Sequence, residues 1–320
     1  MQSLTTTVGG HQCSSYQVAV AEPFRLDLTV NALRRLPSNV VDVFADDRNY
    51  FRAFDSAHGT VVAMVTQTSP RSLTFAVAGP AADHASTLAV VDRMLGLDRN
   101  IAAFHHAAAR LPWLRPLVQR MCGLRPPQYP TIWEAFVNTI AFQQLSLHAA
   151  SAIVRRLVAG AQPVVRYGEV ALYPFPGPDR ILGSGDQMLR AAGLSANKIA
   201  TLQRVADAIA SGALDRSVLD NYTTSQAAAV LRTIKGVGPW TAAVVLLRGL
   251  GRLDVFPAND SSVVRNLALV KGPSSAELAK ALAALSPEQG MLYYHLLLAR
   301  LESQGVVPSG PLRLFSSGRQ

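Results

Sequence analysis

The sequence predicts an α+β protein in which a small α+β unit comes first and an all-helical domain follows. Strand-length segments rich in β-branched residues, separated by turn residues, run from Tyr16 to about Gly79, with a short amphipathic helix between the first two. After Asp98, nearly every segment between the Pro- and Gly-rich stretches has the apolar periodicity of a helix. The change in periodicity therefore marks a change in architecture.

These patterns divide the chain into four parts. Residues 1–15, rich in Thr, Gly and Ser, are expected to form a flexible tail. Residues 16–98 are expected to form the α+β domain and residues 99–308 the helical domain. Residues 309–320 are expected to be a second, loosely held tail.

Composition narrows the class of protein. About half of the residues are apolar (49%), only 16% are charged, and the net charge is +9, which favours a polyanionic partner such as nucleic acid. A drift of composition towards Ala and Arg explains the same charge equally well. The two cysteines, Cys13 and Cys122, are far apart and support neither a disulfide framework nor a zinc or iron–sulfur site. Because no signal peptide or membrane span is visible, a cytoplasmic protein is expected.

The most informative short stretch is "IKGVGPWT", residues 234–241, which lies between two predicted helices. Gly236 and Gly238 are both expected at positive φ, and Pro239 suits the first turn of the second helix. This is the pattern of a helix-hairpin-helix, with residues 226–250 as the hairpin. Its exposed backbone N–H groups suit a phosphate, although a corner whose glycines serve only packing has the same pattern.

A carboxylate follows the hairpin at a defined distance. The second hairpin helix leads into "DVFPAND", and Asp260 precedes the next helix, which begins at Ser261. Asp260 lies twenty residues after Trp240. A simple N-cap is one interpretation of Asp260, and an acidic functional group is the other.

Taken together, these motifs resemble those of the helix-hairpin-helix DNA glycosylases, of the DNA-3-methyladenine glycosylase II type. The resemblance rests mainly on "IKGVGPWTAAVVLLRGLGRLDVFPAND", with "NTIAFQQLS", "LRAAGLSANKIATLQRVADAI" and "YFRAF" as further matches. It implies a two-lobed helical glycosylase domain behind a TATA-binding-protein-like N-terminal unit. It also implies an enzyme that flips an alkylated base out of duplex DNA and hydrolyses its glycosidic bond.

The resemblance assigns Asp260 as the catalytic carboxylate, which stabilises an oxocarbenium-like sugar and directs water. Members with lyase activity carry a lysine where this chain has Trp240, so a monofunctional glycosylase is expected. Trp240 is expected to stack on the extruded base, whereas packing in the helical core is the alternative. Val244 stands where some relatives place a pocket tyrosine. Tyr293 or Tyr294 is expected to substitute for a second pocket tryptophan that this chain lacks, which leaves the preferred base open.

The remaining site predictions concern DNA and ions. Leu124, in "GLRPP", is the expected wedge that fills the gap left by the base, with a buried loop leucine as the alternative. Gln143 is expected either in the base pocket or in a structural hydrogen bond. The predicted DNA-binding hairpin residues are Lys235, Gly236, Val237, Gly238 and Thr241. The resemblance also implies a monovalent cation, Na⁺ or K⁺, at the carbonyls of Thr233 and Gly236, and no other cofactor.

The expected partner is damaged double-stranded DNA, bound by a monomer associated with the nucleoid. Two other functions remain open at this point: a glycosylase for another damaged base, and a non-catalytic helix-hairpin-helix DNA-binding protein. The hairpin alone does not separate these functions, whereas Asp260 at its fixed distance favours an enzyme.

Overall fold

The structure is a computed structural model, and it describes residues 3–8, 11–46 and 48–308 of the 320-residue chain. A sheet with two helices comes first and a long series of helices follows, so the predicted mixed α+β class is confirmed. The strands are β1 Ser3–Val8, β2 His11–Ala19, β3 Val43–Ala45, β4 Asn49–Ser56, β5 Gly59–Ser69, β6 Ser72–Ala78, β7 Val165–Tyr167 and β8 Val170–Leu172. The helices are α1 Leu26–Arg34, α2 His84–Leu95, α3 Ala102–Ala109, α4 Arg115–Arg120, α5 Ile132–Phe142, α6 Leu147–Ala161, α7 Pro178–Gly183, α8 Gly185–Ala192, α9 Ala196–Ala210, α10 Arg216–Asp220, α11 Thr224–Arg232, α12 Pro239–Gly249, α13 Ser261–Leu269, α14 Ser275–Ala284 and α15 Gly290–Ser303.

The first six strands form one antiparallel sheet in the order β1-β2-β6-β5-β4-β3. Side chains alternate between its faces. Val61, Ala63 and Val65 of β5 are buried, and the last two belong to the large core that the sheet shares with helices. Val62 and Met64 point to the other face. Both faces of the central strands are therefore covered, which explains their nearly continuous apolar sequence.

The expectation of a flexible tail at residues 1–15 is wrong for the described residues of that segment. Ser3–Val8 pairs with β2, from Ser3 opposite Tyr16 to Val8 opposite His11, and β2 in turn pairs with β6. Threonine and valine are β-branched and favour strands, a signal that outweighs the Gly and Ser content. The predicted tail at 309–320 lies outside the described residues.

The second half is not all-helical. Strands β7 and β8 form a small hairpin around Gly168, which has φ +57°. Leu172 of this hairpin is fully buried and packs against Phe51, Ala53 and Val62 on the sheet face opposite the helices. The helical half thus supplies the cover for that face, which a reading of local helical periodicity does not reveal.

Residues 131–160, which have helical periodicity throughout, form two helices rather than one. α5 ends at Phe142, and α6 begins at Leu147 with Ser146 as its N-cap, whose side chain accepts a hydrogen bond from the N–H of Ala149. Between them Gln144 has φ +59°, a conformation that a helix does not contain. The break turns the end of α5 towards the hairpin.

The two halves share their interior. Arg52 of β4 donates to Asp42 at 2.6 Å and to Glu134 of α5 at 2.5 Å, and the Tyr50 hydroxyl also donates to Asp42 at 2.7 Å. We call these four buried residues the junction cluster. In addition, Arg248 of α12 donates to two carbonyls at the end of α1. The position of α1 is therefore set by the helical half as well as by the sheet.

In the described part of the chain, no helix is both long enough and apolar enough to cross a membrane.

Candidate active site

The hairpin is the turn between α11 and α12. α11 begins with a capping box between Thr223 and Gln226, and α12 begins at Pro239. Gly236 has φ +101°, as expected, and a Cβ there would clash with the side chain of Thr201 in α9. The turn therefore requires glycine at this position both for conformation and for space.

The second glycine has a different role. Gly238 is extended, with φ −87° and ψ 179°, so the expectation of a second positive φ is wrong. It is the N-cap of α12, where extended backbone is the normal conformation. A Cβ added at Gly238 would meet nothing within 4 Å. Its surface is therefore open to an approaching ligand.

The predicted DNA-binding residues of the turn divide into two groups. Gly236 and Gly238 are exposed, as is the Lys235 side chain, and the first-turn N–H groups of α12 have no acceptor inside their helix. In contrast, Val237 is 5% exposed and Thr241 is 2% exposed. The side chains of Val237 and Thr241 therefore support the turn, and only their backbone can face a ligand.

Gln143 connects the α5–α6 turn to the hairpin. Its side-chain amide donates to the Gly236 carbonyl at 3.2 Å and to the Thr241 hydroxyl at 2.9 Å. Lys198 of α9 also holds this turn, because its ammonium group donates to the carbonyls of Ala141 and Gln143 at 3.1 and 2.9 Å. Partial burial lowers the pKa of Lys198. These contacts give Gln143 a structural role, the second of the two expected.

Asp260 is held at the N-terminus of α13. Its Oδ1 accepts a hydrogen bond from the N–H of Ser262 at 2.8 Å, and its own N–H donates to the Pro257 carbonyl at 3.0 Å. The side chain is half-buried, and among the described residues Oδ2 has no hydrogen-bond partner. The cap thus fixes the carboxylate and leaves one oxygen for a ligand, so capping and a functional role are compatible.

Tyr293 of α15 lies within the electrostatic influence of Asp260. Burial raises the pKa of the Tyr293 hydroxyl, Arg35 lowers it, and Asp260 raises it. The neighbouring Tyr294 is fully buried, and its hydroxyl donates to the Pro127 carbonyl at 2.8 Å. Of these two adjacent tyrosines, Tyr293 is thus the one whose pKa Asp260 affects.

Trp240 and Val244 lie one turn apart on α12. Trp240 is half-buried, and its indole N–H is inaccessible to solvent without a hydrogen-bond acceptor in the described structure. Val244 is 1% exposed. A buried indole N–H normally finds a partner, so Trp240 has an unused donor.

The prediction that Leu124 is the wedge is wrong, because Leu124 is completely buried in the core formed by α1, α4 and α15. A different leucine has the required exposure. Leu145 is 42% exposed in the α5–α6 turn, two residues after the Gln143 that contacts the hairpin. The sequence signal was the apolar residue in "QQLSL", which the helical periodicity on both sides of it concealed.

In the described residues there is no group of three or more His, Cys, Asp or Glu side chains that suits a metal ion. The predicted cation site depends on carbonyls instead. The Gly236 carbonyl already accepts from Gln143, and a carbonyl has a second lone pair for another partner. The cation at Thr233 and Gly236 therefore stays a prediction.

The comparisons with known proteins agree with this geometry. Residues 137–288 match the family described as "HhH-GPD superfamily base excision DNA repair protein". DNA-3-methyladenine glycosylase 1 of Schizosaccharomyces pombe is 33% identical over 132 residues, which are 41% of this chain and 54% of that protein. DNA-3-methyladenine glycosylase 2 of Escherichia coli is 30% identical over 181 residues, which are 55% of this chain and 59% of that protein.

Among solved structures, the 3-methyladenine DNA-glycosylase from Archaeoglobus fulgidus has a TM-score of 0.75. The match covers 89% of this chain and 98% of that one, at 23% identity, and it shows that the fold is shared. The matched stretches span only a little over half of the two curated relatives.

The hairpin, the α5–α6 turn and Asp260 all lie inside the matched segment. This part of the chain matches the HhH-GPD superfamily model, and the resemblance to the helix-hairpin-helix glycosylases is confirmed.

Proposed function

We propose that the protein is a monofunctional DNA glycosylase of base-excision repair that releases alkylated bases from duplex DNA. The observation that carries this proposal is Asp260, whose carboxylate is fixed by the N-terminus of α13 and keeps one oxygen unpaired. Asp260 comes one helix and one loop after the hairpin, which is of the phosphate-binding type. A binding module needs the hairpin but not this carboxylate.

The hairpin supplies the DNA contact. Gly236 and Gly238 let a phosphate approach the backbone N–H groups at the start of α12. Lys235, Arg232 and Arg204 are exposed around this turn, and Arg204 also donates to the Lys235 carbonyl. Because these contacts are ionic, we expect the affinity for DNA to fall steeply as salt is added.

A base must leave the helical stack before the glycosidic bond is accessible. Leu145 replaces Leu124 as the proposed wedge. It is exposed and apolar, and the turn that carries it is fastened to the hairpin by Gln143 and to α9 by Lys198. A rigid turn suits a side chain that has to enter the stack and hold the gap open.

Hydrolysis then follows from the position of Asp260. Water attacks C1′ of the sugar, and the C1′–N bond breaks with its electron pair moving to the base nitrogen. The carboxylate stabilises the positive charge that develops on the sugar, and it orients the water and accepts its proton. The product is an abasic site.

Strand cleavage by an amine is not expected. Trp240 occupies the hairpin position at which lyases carry lysine, and Lys235 lies on the other side of Gly236. Lys198 is committed to two carbonyls. Borohydride therefore should not trap a covalent adduct with abasic DNA, whereas a trapped adduct would contradict the monofunctional assignment.

Three further features complete the proposal. The N-terminal unit, an antiparallel sheet with α1 and α2, is of the TATA-binding-protein-like type, and the helical part is the two-lobed glycosylase domain. The protein acts on damaged duplex DNA as a monomer. It requires no cofactor beyond a monovalent cation at the hairpin.

The central experiment measures release of 3-methyladenine and 7-methylguanine from methylated duplex DNA. We expect release by the wild type and a loss of roughly 10²- to 10⁴-fold in Asp260→Asn, with DNA affinity retained. Asp254→Asn is the matched control, because Asp254 is exposed in the same loop. Base release that is equal in Asp260→Asn and wild type would rule out the assigned role.

The wedge assignment has its own test. Leu145→Ala should slow base release by roughly tenfold or more without changing thermal stability, because its side chain packs against no core. Val218→Ala removes another exposed apolar side chain, on α10, and should leave base release unchanged. Equal rates for Leu145→Ala and Val218→Ala would remove Leu145 from the mechanism.

A further inference from the structure

Arg35 is a buried arginine in an unusual setting. It follows the last residue of α1 and has φ +66° and ψ −58°, a conformation that residues other than glycine seldom adopt. The residue is only 5% exposed. A strained backbone at a buried charged residue is a reason to look for a function.

The contacts of Arg35 leave part of its guanidinium unused. The group stacks on the ring of Phe142, 3.9 Å from the ring centre, and Nη1 is buried without a hydrogen-bond partner in the described structure. A buried charged donor without an acceptor is costly, so native structures rarely keep one without a ligand or water.

The adjacent Arg34 makes the contrast clear. It is 9% exposed, donates from Nε to Asn31 at 2.9 Å and from Nη1 to the Phe44 carbonyl at 3.3 Å, and lies over the Phe44 ring. Arg34 is thus tied to α1 and β3. Arg35 turns instead towards the end of α5, where the α5–α6 turn begins.

Arg35 packs beside one element of the candidate site, because Phe142 directly precedes the Gln143 that bonds to the hairpin. Among the charged groups that influence the Tyr293 hydroxyl, Arg35 acts most strongly and Asp260 comes next, with opposite signs. Both charges therefore influence the Tyr293 hydroxyl, and they do so in opposite directions.

The other unused group at the site is also a donor. The indole N–H of Trp240 is buried and without an acceptor. A ligand that complements Trp240 and Arg35 must supply hydrogen-bond acceptors. Ring nitrogens and carbonyl oxygens of a neutral base are such acceptors.

We propose that Arg35 is a specificity-determining residue that donates from Nη1 to an acceptor on the extruded base and so favours neutral alkylated bases over cationic ones. This inference rests on the proposed function and names the substrate class of the same site.

The reason lies in where the charge goes when the glycosidic bond breaks. A base that is already cationic leaves as a neutral molecule, and a nearby guanidinium repels it while it is bound. A neutral base receives the electron pair of the C1′–N bond and develops negative charge. A fixed cationic donor stabilises that charge in the transition state.

The experiment uses one duplex with a single lesion, either cationic 7-methylguanine or neutral 1,N6-ethenoadenine, under single-turnover conditions. Arg35→Met should slow release of ethenoadenine by roughly 10- to 100-fold and change release of 7-methylguanine by less than about threefold, or increase it. Arg35→Lys keeps the charge and should recover part of the loss. Arg34→Met is the matched control and should leave the ratio of the two rates unchanged.

A structural role for Arg35 predicts something different. If Arg35→Met slows both lesions equally, or if its rates equal those of the wild type because a water satisfies Nη1, the inference is wrong. Thermal unfolding of each variant identifies a loss that comes from misfolding, and in that case Arg35→Lys decides by whether its ratio of rates shifts.

Failure of the proposed function is distinguishable from failure of this inference. If the wild type releases neither base, hydrolysis is ruled out, but the fluorescence of ethenoadenine still reports its extrusion from the stack. An extrusion signal that falls in Arg35→Met and not in Arg34→Met would support contact with the base. Equal signals in all variants would overturn it.

Discussion

The junction cluster and the candidate site both bury arginine, and they treat it in opposite ways. At the junction, Arg52 is enclosed by two carboxylates, Asp42 and Glu134, and Tyr50 adds a further hydrogen bond. At the candidate site, the guanidinium of Arg35 packs on the ring of Phe142, and its Nη1 has no hydrogen-bond acceptor. Nε of Arg52 also lacks a partner, but two carboxylates compensate the charge of Arg52 within the fold, whereas the guanidinium of Arg35 packs on an aromatic ring.

The same contrast extends to the other groups of the site. The Trp240 indole N–H is unpaired, as is Oδ2 of Asp260, and the N–H groups at the start of α12 face outward. The junction has no comparable opening, because its members are 1% exposed or less, apart from Glu134 at 2%. The site thus has unpaired hydrogen-bonding groups, and bound DNA with an extruded base would supply their partners.

The largest effect we expect concerns the junction. Arg52→Met should lower the free energy of unfolding by about 3 to 5 kcal/mol, because it leaves two buried carboxyl groups without their cation. Urea denaturation measures the change. Arg35→Met, the same substitution at the site, should cost about 1 kcal/mol or less, since no ion pair is lost. Equal losses would break the distinction between the two regions.

The hairpin gives the next effect. Gly236→Ala should destabilise the protein by roughly 2 to 4 kcal/mol, because alanine tolerates φ +101° poorly and its Cβ clashes with Thr201. Gly238→Ala should change stability by less than about 0.5 kcal/mol, since that backbone is extended and the space is open.

DNA binding gives a second comparison of the two glycine positions. Gly238→Ala, although stable, should weaken binding because its methyl group occupies the surface that a phosphate approaches. Filter binding or anisotropy at several salt concentrations measures the affinity. An alanine at Gly238 that neither destabilises the fold nor weakens binding would show that the open side of the turn is unused.

The sequence predicted local features well and long-range ones poorly. The turn at Gly236 and the cap at Asp260 follow from residues within a few positions, so they were visible in the sequence. Leu124 and Leu145 are the same residue type in similar turns, and only the packing of α1 against α4 and α15 decides which one is buried. The sequence did not indicate a role for Arg35, because Phe142, on which it packs, is over a hundred residues away.

The error at residues 143–146 has a similar cause. The apolar periodicity continues across the break between α5 and α6, and the end of α5 is set by contacts that come from elsewhere. Lys198 binds the carbonyls of Ala141 and Gln143, and the Gln143 side chain binds the hairpin. Tertiary hydrogen bonds thus override a helical pattern that is locally satisfactory.

Protonation of Glu134 provides a second test of the junction. Burial raises the pKa of Glu134 from its ordinary value of 4.5 to about 7, Arg52 opposes this shift, and Asp42 adds to it. The folded protein therefore binds more protons at this group than the unfolded chain does between these two values, so stability should fall as the pH rises through that window.

Glu134→Gln removes this titration. Relative to the variant, the wild type should lose on the order of 2 kcal/mol of unfolding free energy between pH 5 and pH 8, as measured by urea denaturation at both pH values. Using the difference between the two proteins cancels the titration of other groups. Parallel pH profiles for both would mean that Glu134 stays ionised in the junction throughout.

The smallest effect concerns Gln143, whose side-chain nitrogen has two hydrogen-bond acceptors at the edge of the open site. Gln143→Ala removes hydrogen bonds to the Gly236 carbonyl and to the buried Thr241 hydroxyl, and we expect a loss of about 1 kcal/mol in urea denaturation. Gln144→Ala is the control, because Gln144 is exposed and should change stability by less than about 0.5 kcal/mol.

For Gln143→Ala, the informative comparison is between the loss of unfolding free energy and the loss of affinity for DNA. If Gln143 serves the ligand, the small loss of stability should accompany a clear loss of affinity for DNA, because the α5–α6 turn and the hairpin no longer hold a fixed distance. A loss above about 2 kcal/mol with unchanged affinity would place Gln143 with the junction cluster instead. The boundary between the two regions would then lie at the hairpin itself, and the rigidity of its turn would be part of the fold rather than of the site.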